Sequence, residues 1–374
     1  MKTRRETLGM LGGAIGATAL GGSGLFDGSV AKAAFAASPT SRAKLDALYD
    51  KSIVIDTLAF AHKWDDEENA AIDASGYTGI ITSMNRRTLK IAMDEIVKWK
   101  HRVEAQPDRF TIALTAQDFI DAKKSGKLAV MMNFQNSTML EGDIDNVDIL
   151  HSLGARCWQL TYNSRNRLGD GSTERTNAGL SDFGIEVVER MNHLGVLVDV
   201  SHSGRQTTLD AVEFSKKPIA FTHTMCEAIR KNHPRAKTDK QFRALADKGG
   251  VAGIAALGYF IGKNPGTDTT IEHYINHIEH AVNVMGIDHV GVCTDFPIRG
   301  LESWATREKW YEPRLISFKP SYDVQWPAWI PKLDKPDRFR NVLVELDKRG
   351  WKTGDMEKLL GQNWLRLFRD VYGS

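Results

Sequence analysis

The sequence predicts a single α/β domain of the (β/α)8 type, a closed barrel of eight parallel strands ringed by helices. Three observations carry this. Short apolar runs recur at 52–56, 79–84, 128–134, 155–161, 195–200, 218–222, 250–255 and 289–294. They do not alternate apolar with polar, as expected of parallel strands covered on both faces. Amphipathic stretches lie between them, and no G-x-G-x-x-G follows the first run, which disfavours an open doubly wound sheet. At 374 residues, 42% hydrophobic, the chain is long enough for one such barrel.

Before the first run, residues 1–36 read as a cleaved export signal. Thr3-Arg4-Arg5-Glu6-Thr7-Leu8 carries a twin arginine, a Gly/Ala-rich run follows, and Ala31-Lys32-Ala33 and Ala34-Phe35-Ala36 each suit a signal peptidase. The run is too rich in glycine for a good membrane span. The expectation is an exported, periplasmic protein, with mature residues 37–374 keeping no stable span. The formal charge of +2 resides in this leader, where four basic residues face two acidic ones. The rest is neutral, so neither nucleic acid nor an anionic lipid surface is a partner. A small-molecule or dipeptide substrate is expected, and a homodimer is compatible with the chain.

Between the runs, 88–105 has helical periodicity and stops at Gln106-Pro107. Residues 181–194 start on Ser181-Asp182 and stop at Gly195; 239–248 and 270–285 also close on glycine. Two regions break the repeat. Residues 299–336, rich in Trp, Pro and charge, form a long loop over one end of the barrel. Residues 337–371 read as two helices, the second after Thr353-Gly354. Cys157, Cys226 and Cys293 are odd in number and lie in or just after apolar runs, which suits buried thiols.

Catalytic groups of a parallel barrel sit where strands end. Those positions include Asp56, Gln135, Tyr162, His202, His223 and Asp295. His202 and His223 follow consecutive strands, where two imidazoles can meet one divalent cation. Asp295 closes the eighth strand and can bind metal or act as a base. Arg235, beyond the sixth strand, can hold a carboxylate. His62 is a weaker candidate for the mouth. His273, His277 and His280 fall on an outer helix as surface or packing residues. No Gly-x-Ser-x-Gly elbow or P-loop is present.

Taken together, 198–202, Phe221-Thr222-His223, His233-Pro234-Arg235, 286–291 leading to Asp295-Phe296, 154–163 and 359–366 resemble the membrane (renal) dipeptidase family of metallopeptidases. The likeness runs from about residue 52 to 368. The resemblance implies a two-zinc barrel. One zinc is held by a His-x-Asp motif after strand one and an aspartate after strand eight. The other is held by histidines of strands five and six, and a glutamate after strand three bridges both. A histidine after strand four and an arginine after strand six hold a dipeptide. Here Leu58 and Phe60 stand at the His-x-Asp positions, Gln135 at the glutamate and Tyr162 at the strand-four histidine. His202, His223, Arg235 and Asp295 remain.

The resulting expectation is a hydrolase of dipeptides or related small amides, acting through a water held by one zinc rather than two. Its metal donors come from His202, His223, Gln135, Asp295 and Asp56. Asp295 and Tyr162 are the catalytic groups, and Arg235 and Tyr162 hold substrate. The alternatives are a non-peptidase enzyme on the same barrel and a non-catalytic periplasmic binding or maturation protein.

Overall fold

The computed structural model describes residues 40–84, 87–265 and 267–373; the leader at 1–36 lies outside the described residues. Eight parallel strands follow one another in chain order: β1 (Ile55–Asp56), β2 (Gly79–Ile81), β3 (Leu128–Met131), β4 (Cys157–Gln159), β5 (Leu197–Asp199), β6 (Ala220–Cys226), β7 (Val251–Ile254) and β8 (Val290–Val292). β3 resumes at Asn133–Phe134, and it is this upper part that pairs with β4. The ring closes between its two ends. The Asp295 N–H donates to the Leu58 carbonyl at 2.9 Å, and Phe296–Pro297 pairs in parallel with Ala59–Phe60. Every residue of β1 to β8 is buried, which is why the runs read as continuously apolar.

Caps fix the helices where the sequence punctuates them. The Ser181 hydroxyl accepts the Gly184 N–H to open Asp182–Leu194, which ends on Gly195 at φ 73°. Thr238 and Gln241 form a capping box that opens Asp239–Asp247. His277 is buried in the helix Ile271–Met285. Its Nδ1 accepts the Cys226 N–H at 3.0 Å and its Nε2 donates to the Ile261 carbonyl at 3.1 Å, so it packs as expected. The three cysteines are buried and free. Among the described residues no helix is long and apolar enough to cross a membrane.

The lower end of the barrel is plugged by the C-terminal helix Asn363–Tyr372. Asn363 Nδ2 donates to the carbonyls of Ile287 and Val290 at 2.7 and 2.8 Å. Gly291 makes room for this plug, because a Cβ there would lie 2.1 Å from Trp364 Nε1. Chemistry is thereby left to the upper mouth.

Three details depart from the sequence expectation. A strand at Phe110–Ile112 joins the lower part of β3. The segment 299–336 is not a plain loop. It holds a helical turn at Arg307–Tyr311 that runs on into a helix at Glu312–Ser317. Asp334 fastens its end to its beginning by accepting the N–H groups of Leu301 and Glu302 at 2.7 and 2.8 Å. Finally, β6 runs four residues past Thr222, because Ala236–Lys237 pairs with Met225–Cys226 and prolongs the ladder. His223 therefore lies within its strand instead of after it.

Candidate active site

His202 and His223 come together at the mouth, with ring centroids 4.9 Å apart and planes at 59°. Their surroundings fix which nitrogen of each carries the proton. Asp199, the last residue of β5, accepts four hydrogen bonds, from the N–H and hydroxyl of both Ser201 and Thr222. The Thr222 hydroxyl proton is thus committed to Asp199. In the 2.9 Å contact between Thr222 Oγ1 and His223 Nδ1, the imidazole must be the donor. His223 Nε2 then carries the lone pair. This atom is buried and has no hydrogen-bond partner among the described residues. Burial, helped by the charges of Arg235 and Lys237, holds His223 well below the ordinary imidazole pKa, so the ring is neutral. His202 repeats the pattern. Its Nδ1 meets Asn163 Oδ1 at 2.8 Å, which makes it the donor and leaves the lone pair on Nε2.

Four of the sequence candidates, Gln135, Tyr162, His202 and Asp295, border one cavity of about 430 Å³. That volume suits a small organic substrate. Tyr162 lies flat on His202 at 3.9 Å between centroids. Gln135 Nε2 donates to Ser83 Oγ at 2.9 Å. Asp295 sits at φ 64°, a left-handed conformation that aspartate tolerates better than most residues. Burial raises its carboxyl pKa to about 7, against the opposing pull of Arg235 and Arg314. His62 also reaches the cavity.

The other candidates stand behind this wall. His223, whose ring lies 4.9 Å from that of His202, does not border the cavity. Arg235 is fully buried. Its Nη1 donates to the Ser201 carbonyl and its Nη2 to the His223 carbonyl, the latter at 3.1 Å. Tyr322, which does border the cavity, lies within the field of the Arg235 guanidinium. Asp56 is fully buried and accepts the Thr294 N–H at 3.0 Å, the Thr294 hydroxyl at 2.7 Å and the Leu58 N–H at 3.3 Å. It braces the barrel seam.

Burial raises the Asp56 pKa from 3.8 to about 6, although its donors oppose the shift. An acid whose pKa rises on folding adds most stability below its unfolded value, and that contribution is lost as pH climbs through the folded value. Melting temperature is expected to fall between pH 4 and 6 less steeply in Asp56→Asn than in the parent. Equal slopes would remove Asp56 as a source of this dependence.

Sequence reasoning placed 299–336 over one end of the barrel but did not single out the residues that it and the stretch after β7 bring to the cavity, notably Arg314, Trp310, Tyr322 and Phe260. The tryptophan content of that segment was the available signal. Which of its side chains turn inward depends on the helix at Glu312–Ser317, which no periodicity announced.

A parallel barrel with imidazoles, a carboxylate and an amide converging at its upper mouth is an enzyme architecture of the hydrolase kind. Residues 44–308 match the model of the membrane dipeptidase family, peptidase family M19, and the chain belongs to that family. The chain is 26% identical over 291 residues to the dipeptidase tcpJ of Claviceps purpurea, covering 77% of this chain and 62% of that one. It therefore spans less than two thirds of that relative. It is also 26% identical over 302 residues to the dipeptidase verJ of Clonostachys rogersoniana, covering 80% of this chain and 70% of the other. An amidohydrolase structure from Pseudomonas aeruginosa superposes with TM-score 0.79 at 29% identity, covering 90% of this chain and all of that one. A Rhodobacter sphaeroides metallopeptidase, bound to a phosphinate mimic of L-Ala-D-Ala, shares the fold. It has TM-score 0.71 and 17% identity, and the match covers 86% of this chain and 99% of the other.

The family is metal-dependent, and the residues present can be tested against that. Among the described residues no three of His, Cys, Asp and Glu are grouped so as to share an ion. The imidazole pair is where the residues present suit an ion, since His223 Nε2 is buried with no hydrogen-bond partner among the described residues.

Proposed function

We propose that this chain hydrolyses dipeptides or related small amides at the upper mouth, with one zinc ion, not two, held by His202 and His223 beside the neutral oxygen of Gln135. The unpartnered Nε2 of His223, next to a second imidazole in the same tautomer, carries this reading. Asp199 and Thr222 hold the His223 ring as outer partners hold a metal-ligating histidine.

When bound, the ion would polarise the scissile carbonyl and acidify water. The chain's own groups supply the rest. Asp295 borders the cavity with a pKa of about 7, well suited to taking a proton from water and returning it to the leaving amine. Tyr162, held flat by His202, presents a phenol from the cavity wall as a donor toward the substrate carbonyl. The aromatic walls limit the water that competes for these groups.

Elemental mass spectrometry of mature protein, purified without chelator or a polyhistidine tag, tests this. About one zinc per chain is expected, absent from a His202→Ala/His223→Ala variant. No metal even after added zinc would overturn the mechanism. Zinc without cleavage of a dipeptide panel would move the assignment to a non-peptidase enzyme on this barrel, a reading favoured by Phe60 on the cavity wall.

A further inference from the structure

The cavity is more selective than a site for any small amide would need to be. Phe60, Phe260, Trp304, Trp310, Phe318 and Tyr322 supply aromatic surface to its walls. Phe260 and Tyr322 lie 5.9 Å apart between ring centroids, and Phe318 packs on Tyr322 at 4.6 Å. These rings brace one another and leave a preformed apolar recess beside His202 and Asp295.

Its charges are unevenly spent. Arg299 is paired with Glu67 at 3.1 Å and with Asp65 at 3.8 Å. Glu68 accepts the N–H groups of Lys63 and Trp64 through one oxygen, at 2.8 and 2.7 Å. Arg235 does not border the cavity and is bound to backbone carbonyls. Arg314 differs. Its guanidinium lies 4.0 Å over the Trp310 ring, and Nη1 donates to the Trp310 carbonyl at 2.8 Å. No carboxylate of the described residues pairs with it. Stacking on indole holds the planar fork in place while leaving donors for a second partner.

We infer that the substrate is a small amide bearing an aromatic side chain and a free carboxylate, the ring seated among Phe260, Trp310 and Tyr322 and the carboxylate held by Arg314. Arg235 then acts as a buried brace. The inference rests on the reading of this cavity as the substrate site. Burying a benzyl group among rings favours such a ligand over its glycine counterpart, and a charge-assisted fork favours an acid over its amide.

The test is a calorimetric titration of the full mature protein with three uncleavable ligands. They are the ketomethylene isosteres of Gly-Phe and Gly-Gly, and the C-terminal carboxamide of the first. The Gly-Phe isostere is expected to bind at least about tenfold more tightly than the Gly-Gly isostere, and about tenfold more tightly than its own carboxamide. Arg314→Gln should bring the acid-to-amide ratio near one while the aromatic preference stays; Arg314→Lys should restore part of the ratio. Equal binding of the Gly-Phe and Gly-Gly isosteres, a ratio unchanged in Arg314→Gln, or no saturable binding overturns the inference. The acid and amide comparison on the parent protein stands even if a variant fails to fold. Selective binding without dipeptide cleavage would refute the hydrolase reading and leave this one. Equal cleavage of Gly-Gly and Gly-Phe would do the reverse.

Discussion

Asp295→Asn is expected to lower kcat for dipeptide hydrolysis by roughly 10²–10⁴-fold, the range of a lost general base, with KM changed far less. The substitution isolates the chemistry well. Asparagine has the same shape and tolerates the left-handed backbone at φ 64° about as well as aspartate. The hydrogen bond that closes the barrel here comes from the backbone N–H of residue 295 to the Leu58 carbonyl, so it survives. Removing a carboxylate that burial pushes to about 7 should not weaken the fold near neutral pH. A variant that melts with the parent and keeps activity within tenfold would take the proton-transfer role away from Asp295. Loss of activity together with an altered KM would instead point to substrate positioning.

The barrel was legible because parallel strands covered on both faces leave a plain signal. All eight apolar runs overlap a strand of the ring, and glycine or a capping residue marks the helix ends at Ser181 and Gly195. The wall of the site was legible for the same reason, since Gln135, Tyr162, His202 and Asp295 all follow strand ends. Depth was harder to read. His223 sits one residue beyond the predicted strand, yet the Ala236–Lys237 pairing draws it into β6. Asp56 has the position of a ligand but faces Thr294, a residue 238 positions away in the chain. Arg235 is committed to carbonyls supplied by β6 and by the turn after β5. Such partners are set by closure of the ring, which local pattern does not encode. The cap is legible only as composition, because which of its rings turn inward depends on tertiary packing.

The altered donor set makes the strongest demand on the single-ion reading. Position 58 lies beside Asp295 through their backbone hydrogen bond, and position 60 pairs with Pro297 on the strand that follows Asp295. Side chains that bind metal at 58 and 60 would therefore join the Asp295 carboxylate at that end of the mouth. Leu58→His/Phe60→Asp/Gln135→Glu is expected to raise zinc from about one to about two ions per chain. Leu58 is fully buried, so an unliganded histidine there destabilises the fold, while a liganded one is compensated. A chelator should accordingly lower the melting temperature of the triple variant more than that of the parent. Gln135→Glu alone provides the control that disturbs packing least; it should tighten the existing ion without adding another. A folded triple variant that still holds about one zinc would show that residues 58 and 60 do not set the metal count. The second ion would then be excluded by the shape of the mouth, with Phe260 and Tyr322 the next residues to replace.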